Sequence, residues 1–224
     1  MPGTVLSPEL EALLRIRNDC WYFAEQAVFT LDEADKVQPV KRYPVHLEYL
    51  KAIVDLMVHE RMLALVKHRR MVITWTACMI ALWDVMFNEG RRVGLVSKKE
   101  EDSDELVLRC KFIYDNIPDG ALPIKKPVMT YKYTEFACPE IGSVIKGYAS
   151  GADQLRQYGH SRIFADEIAF WPQARAAFAS MKPTTDGGGQ ICLFSTRYPG
   201  FFQEVIEDRL ENEQHTLREL GVAS

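Results

Sequence analysis

The sequence predicts an α/β domain built on a mainly parallel central sheet flanked by helices. Three observations carry that expectation. Short apolar runs at Met62 to Val66, Val93 to Ser97, Ile163 to Ala165 and Ile191 to Phe194 have the length and composition of strands buried on both faces. Stretches with helical apolar spacing alternate with them. Three of the runs end in chemically useful side chains, Lys67, Asp166-Glu167 and Ser195-Thr196, and the carboxyl ends of parallel strands are where such folds keep their chemistry.

In chain order, Ser7 is an N-cap residue followed by Pro8 at the first helical position, and apolar spacing through Val28 predicts one long helix. A polar stretch from Thr30 to Lys41 reads as loop, Arg42-Tyr43-Pro44 follows, and HLEYLKAIVDLMVHE resumes a helical pattern. After the Met62 to Val66 strand, Lys67 to Ile73 is a basic connector before a helix from Thr74 to Phe87. The Val93 to Ser97 strand leads into a charged helix near Lys98, and Pro118 to Pro139 reads as loops with a short strand. Strands at Ser143 to Tyr148, Ile163 to Ala165 and Ile191 to Phe194 complete the sheet, and Phe201 to Glu211 is helix-like. Trp75, Trp83 and Trp171 fall on helix-like segments and are expected in the core. One domain spanning 1–224 is expected, with a helical N-terminal segment over 1–57 and the core over 58–224.

At 224 residues and 47% hydrophobic content, the chain can bury a core without disulfide or metal staples. Lys and Arg number 27 against 31 Asp and Glu, so no global basic field marks a nucleic-acid binder, and any DNA grip must be local or shared between subunits. The 5 cysteines lack any CxxC pairing, which argues against a disulfide framework or a zinc knuckle. His46, His59, His68, His160 and His215 show no metal-ligand spacing, and no elbow motif frames a Ser or Cys nucleophile. With no signal-peptide core and no long apolar run, a soluble intracellular protein without a membrane partner is expected.

The chemistry concentrates in three segments. Lys67-His68-Arg69-Arg70-Met71-Val72-Ile73-Thr74 joins a strand to a helix with a cationic loop and ends on a hydroxyl. A phosphate cradle needs such parts: N–H groups at a helix N-terminus face the anion, a lysine neutralises the β/γ-phosphates, and Ser or Thr ligates Mg2+. Against GxxxxGK[ST], however, Lys67, Val72 and Ile73 replace the two glycines and the lysine, so taken alone the segment fails as a phosphate loop and reads as a solvated basic turn. Arg162 to Glu167 is an apolar strand delivering two acids to its end; in a P-loop ATPase Asp166 would hold Mg2+ through water while Glu167 polarises the attacking water, and the pair alone reads equally as a strand-end turn with solvated acids. Leu193 to Arg197 is an apolar strand ending in Ser195 and Thr196, whose hydroxyls can sense a γ-phosphate or the lytic water. The acidic strand end follows the loop by roughly a hundred residues and the polar one follows by roughly thirty more, the order of parts in an additional-strand P-loop NTPase.

These residues together resemble the large terminase family of tailed bacteriophages. Its members often carry a deviant Walker A of the form K-x-x-R-x-G-x-[ST], which Lys67 to Thr74 matches except at Val72. The segment Val93 to Asp102 resembles the strand and helix after the phosphate loop, Ile163 to Glu167 the Walker B, and Phe194-Ser195-Thr196 with Pro199-Gly200 the coupling motif. The resemblance implies an ATP-hydrolysing, Mg2+-dependent motor that drives double-stranded DNA into a procapsid. Lys67 would be the phosphate lysine, Arg70 a second phosphate cation and Thr74 the magnesium hydroxyl. Arg156 would act in trans on a neighbour's nucleotide, with Arg162 and Arg197 as competing candidates and a surface helix contact as the plain alternative. Arg42 and Tyr43, with Gln38 before them, fall where the family places its adenine contacts, though a Tyr before Pro is more often a residue that packs a helix entry. Val72 is β-branched and resists positive φ, so slow hydrolysis by the monomer is expected.

The same resemblance implies a homo-oligomeric ring, a pentamer when assembled, working with a portal protein and the small terminase subunit in the host cytoplasm. DNA contact would be phosphate-directed and sequence-independent, with Lys125, Lys126 and Lys132 as local candidates, although loop lysines of this kind are more often solvated charges. Nothing in the sequence corresponds to the family's RNase H-like nuclease, so no DNA cleavage is expected, as for a truncated form or one piece of a split gene. Two other functions fit the same parts: the first lobe of a helicase-like translocase, and a nucleotide-binding or DNA-docking module with little turnover. Glu167 argues against the latter, since binding alone needs no catalytic base.

Overall fold

A computed structural model describes residues 7–68, 71–151, 155 and 159–207, together with the backbone of 216–219. The N-terminal segment holds two helices, α1 (Pro8–Asn18) and α2 (Cys20–Ala27), where apolar spacing predicts one. Asp19 makes the break: its backbone is extended (φ −128, ψ 96) and its carboxylate accepts the Tyr22 N–H at 2.9 Å, so it caps α2 rather than continuing α1. The stretch read as loop contains a small antiparallel ribbon of β1 (Phe29–Leu31) and β2 (Val40–Arg42). Then α3 (Glu48–His59) packs its buried Leu50, Ile53, Val54 and Met57 toward the core.

The core alternates as anticipated: β3 (Met62–Val66), α4 (Ile73–Phe87), β4 (Arg92–Ser97) and α5 (Glu100–Asp115). The loop-rich middle segment contributes a hairpin, β5 (Thr130–Lys132) and β6 (Glu135–Cys138), that leads into β7 (Ser143–Ala149). Next come β8 (Arg162–Asp166), α6 (Ala174–Met181), α7 (Pro183–Asp186), β9 (Gln190–Ser195), α8 (Phe201–Ile206) and β10 (Thr216–Glu219).

The sheet has 8 strands in the order β10-β3-β9-β8-β4-β7-β6-β5, parallel from β10 to β7 and antiparallel beyond. Every residue of β3 and of β8 is buried, as strands covered on both faces require. The decisive topological feature is β9, which lies between β3 and β8 although it comes last of the three in the chain. An inserted strand between the phosphate-loop strand and the acidic strand defines the additional-strand class.

Of the 15 residues of α4, 13 are buried, so this helix is the axis of the larger core cluster rather than an amphipathic surface helix. The N-terminal segment belongs to that cluster: the Trp83 indole donates to the Ile16 carbonyl at 2.8 Å, and the hydroxyls of Tyr43 and Thr76 share a hydrogen bond of 2.6 Å. On the same side α5 lies close on β7 because Gly147 leaves room. A Cβ at Gly147 would stand 2.9 Å from Ser103 Oγ and 3.0 Å from the Ser103 carbonyl oxygen. All 5 cysteines are buried and unpaired, and burial pushes the Cys20 and Cys192 thiols far above their ordinary range. Among the described residues no helix is long and apolar enough to cross a membrane.

Candidate functional site

The carboxyl ends of β3, β8 and β9 converge on one cluster. Lys67 follows β3, and its ammonium stands 2.7 Å from Asp166 Oδ1, 3.1 Å from Glu167 Oε1 and 3.0 Å from Thr74 Oγ1. Thr74 in turn donates to Asp166 Oδ2 at 3.3 Å. The Lys67 and Asp166 side chains are each about 10% exposed, whereas Glu167 is 38% exposed and faces the opening. A cation already sits between the hydroxyl and the carboxylates, so the electrostatics there favour positive charge. The Thr74 hydroxyl and the Asp166 carboxylate form the sparse, hard oxygen set suited to Mg2+, which keeps most of its own waters.

Glu167 is positioned by β9. Ser195, with no exposed surface, donates through Oγ to Glu167 Oε2 at 3.0 Å, and the Thr196 N–H reaches the same oxygen at 3.4 Å. The Ser195 hydroxyl also accepts from the Ala169 N–H at 3.3 Å. The Glu167 backbone lies in the left-handed region (φ 53, ψ 38) while Asp166 is the last residue of β8, which sends the two carboxylates to different places. The Trp171 indole fixes the turn by donating to the Asp166 carbonyl at 3.0 Å.

The loop before α4 is compact. Met71 is buried, with its sulfur 3.0 Å from the His68 N–H, and Tyr49 Oη lies 3.5 Å from the Met71 carbonyl oxygen. Val72 takes φ 62 and ψ 9, so the backbone keeps the left-handed turn that favours glycine despite the side chain. The Val72 carbonyl accepts from Thr76 N and Oγ1 at 2.9 and 3.0 Å. No side chain caps α4, the arrangement in which first-turn N–H groups serve an anion. A cavity of about 260 Å³ opens beside this turn, lined by Lys67, His68, Met71 to Trp75, Arg109 and Glu167.

Of the sequence candidates, Lys67, Thr74, Asp166, Glu167, Ser195 and Thr196 meet at one place, Val72 and Ile73 shape its loop, and His68 is exposed at the rim. Arg69, Arg70 and Arg156 lie outside the described residues. Tyr43 needs correction as a base-stacking residue: it is 2% exposed, its ring meets Trp21 edge-on, and its hydroxyl is bonded to Thr76. Arg42 instead donates to the Glu25 carbonyl at 3.1 Å and stands over the Phe29 ring, on the β1–β2 ribbon. Arg162 is excluded as a trans-acting finger. It is buried, donates to the Met57 carbonyl at 2.7 Å and lies 3.7 Å from Asp84, which also holds Arg91 at 2.9 Å; Arg197 is exposed just past β9.

Sequence reasoning missed Arg109 and assigned Trp75 wholly to the core. Arg109 lies two turns along α5, far from any motif, with its guanidinium 5.7 Å from the centre of the half-exposed Trp75 ring. Lys126 is also engaged, donating to the Tyr114 carbonyl at 3.2 Å and lying over its ring, whereas Lys125 and Lys132 are exposed.

No protein-family profile matches the chain. Among solved structures it is similar to the HK97 bacteriophage large terminase, with a TM-score of 0.63 over 88% of this chain and 40% of that one at 11% identity. The large terminase ATPase domain of Thermus phage P74-26 matches at a TM-score of 0.52, covering 66% of this chain and 64% of that one at 13% identity. The large terminase of another thermophilic bacteriophage, in complex with ADP, matches at 0.54, covering 93% of this chain and 44% of that one at 10% identity. A DEAD box protein from the hyperthermophile Methanococcus jannaschii matches at 0.51, covering 86% of this chain and 56% of that one at 11% identity. The chain thus spans less than two thirds of the length of each of these structures. With β9 inserted between the loop strand and the acidic strand, this chain has the P-loop fold of the phage large-terminase ATPase domains.

Proposed function

We propose that the chain is the ATPase motor of a viral DNA-packaging machine, hydrolysing ATP with Mg2+ to drive double-stranded DNA into a procapsid. One observation carries the reading: β3, β8, β9 and the first turn of α4 bring a phosphate-binding lysine, a metal-type hydroxyl and carboxylate, and a separately held glutamate together, with Lys67 in hydrogen-bonding range of the other three. The higher TM-score to the HK97 terminase, 0.63 against 0.51 to the DEAD box protein, supports a packaging motor over a helicase lobe.

The residues divide the work. Lys67, poised between Asp166 and Glu167, turns to the β/γ-phosphates when ATP binds, which frees both carboxylates. Thr74 and Asp166 would hold Mg2+, which supplies neutralisation of the charge on the β- and γ-phosphate oxygens. Glu167 orients and deprotonates the attacking water, with Ser195 and the Thr196 N–H fixing one of its oxygens so that the other faces the nucleophile. Thr196, one residue past β9, would report the state of the γ-phosphate to α8. Arg70 and Arg156 keep their proposed roles as a second phosphate cation and a residue acting on the neighbour's nucleotide in a ring, a pentamer on the portal. Double-stranded DNA, portal protein and small terminase subunit are the partners this reading requires, in the host cytoplasm.

The test is Mg2+-dependent ATP hydrolysis by the wild-type chain beside Lys67→Ala and Glu167→Gln, over a range of protein concentration. Turnover that both variants lose, with ATP binding kept by Glu167→Gln, supports the assignment. A wild-type chain that binds no ATP overturns it in favour of a docking module.

A further inference from the structure

With Tyr43 buried, the residue expected to stack on the base has no open ring face, yet the cavity beside the phosphate loop has an aromatic wall. Its lining includes Lys67, Thr74 and Glu167, all suited to phosphates and lytic water. It also includes Trp75, the residue directly after the metal-type hydroxyl, and Arg109 from the adjacent helix. Trp75 is half-exposed and fixed by an edge-on contact with Phe112, at 5.6 Å and 67°, while the Arg109 guanidinium stands 5.7 Å from its ring centre. An indole plane paired with a planar cation in the lining of a phosphate site is what the face of a nucleobase requires.

We propose that Trp75 and Arg109 form the nucleoside platform of this site, Trp75 stacking on the base and Arg109 closing over it. The proposal rests on the reading of the site as an ATP site and specifies how the base end is held. Approach from Trp75 rather than from the N-terminal segment follows from two structural facts. Thr76, next to Trp75, is bonded to Tyr43, so the tyrosine that would otherwise stack on the base anchors the first turn of α4 instead. Gly147 permits α5 to lie close on β7, and α5 carries both Arg109 and the Phe112 ring that braces the indole.

Calorimetric titration with ATP and with inorganic tripolyphosphate, each with Mg2+, separates base from phosphate. Trp75→Ala is expected to weaken ATP binding about tenfold, the scale of one lost base stack, while tripolyphosphate binding stays within about twofold. Trp75→Phe should recover most of the loss, and Arg109→Ala should weaken ATP binding more than tripolyphosphate binding. Wild-type ATP affinity in Trp75→Ala overturns the platform and leaves the ATP site standing. An equal loss of ATP and tripolyphosphate binding in Arg109→Ala makes Arg109 a phosphate ligand and overturns its part. A wild-type chain that binds neither ligand overturns platform and site together.

Discussion

Val72 is where a substitution tests the loop geometry most cleanly. Its φ of 62 places an L side chain in the left-handed region, which costs roughly 1–2 kcal/mol relative to glycine. At an ordinary helical position the order is reversed, and alanine is more stable than glycine by about 0.5–1 kcal/mol because the unfolded glycine chain is freer. Val72 also packs against the core cluster, and both replacements forfeit its two γ-methyl groups, so that loss cancels between them and only the contacts of the alanine Cβ differ. Val72→Gly is therefore expected to be more stable than Val72→Ala by about 1 kcal/mol, or roughly 2–4 °C in Tm for a domain of this size. Equilibrium urea unfolding of the two variants measures the difference. An alanine variant as stable as the glycine variant, or more so, would refute the left-handed turn at Val72 and the loop geometry built on it.

Glu167→Gln is expected to lower turnover by about 10²–10⁴ with ATP affinity preserved, read by single-turnover hydrolysis alongside equilibrium binding. Ser195→Ala removes a fully buried hydroxyl that orients Glu167, so kcat should fall while KM for ATP stays close to wild type; a fall confined to KM would contradict the positioning role. Asp84→Ala strands Arg162 and Arg91 at the opposite end of the strands from the site, and an unfolding free energy lower by about 3–5 kcal/mol is expected in denaturant. Asp35 accepts from the Gln38 N–H, pairs with Lys41 and accepts from the Val37 N–H, and these contacts lower its carboxyl to about 2. Its contribution to stability is complete above the unfolded value near 3.8 and lost as pH falls toward 2, and an NMR titration with a midpoint near 4 would contradict the turn.

The sheet was legible because burial on both faces writes itself as continuous apolar runs: Met62 to Val66 and Ile163 to Ala165 stand in the structure as strands at those positions. The position of β9 between β3 and β8 followed from the order of motifs, not from periodicity. The break at Asp19 was written in the sequence too, as an N-cap residue, but unbroken apolar spacing on both sides outweighed one polar residue. The β1–β2 ribbon was invisible because its strands are three residues each, too short for a period-two alternation to register. Tyr43 illustrates what sequence position alone does not resolve. Being next to the first core strand's helix says nothing of whether the ring faces inward, and the partner that draws it in, Thr76, is far along the chain. Arg109 escaped notice for the converse reason, since only the packing of α5 against α4 brings it to the cavity.

The inserted strand has a mechanical consequence. β3 and β8 exchange no backbone hydrogen bond with each other; each is bonded to β9, on opposite edges. The Lys67 N–H is held by the Ser195 carbonyl and the Glu167 N–H by the Phe194 carbonyl, both at 2.9 Å, so consecutive residues of β9 grip the two banks of the site. The banks stand two strand spacings apart, about 9.6 Å, and β9 acts as the gauge block that sets the gap. A displacement of the segment leaving β9 toward α8 would therefore reach both residues through a single strand. Under the proposed reading, the lysine that meets the phosphates and the glutamate that meets the water share one moving part.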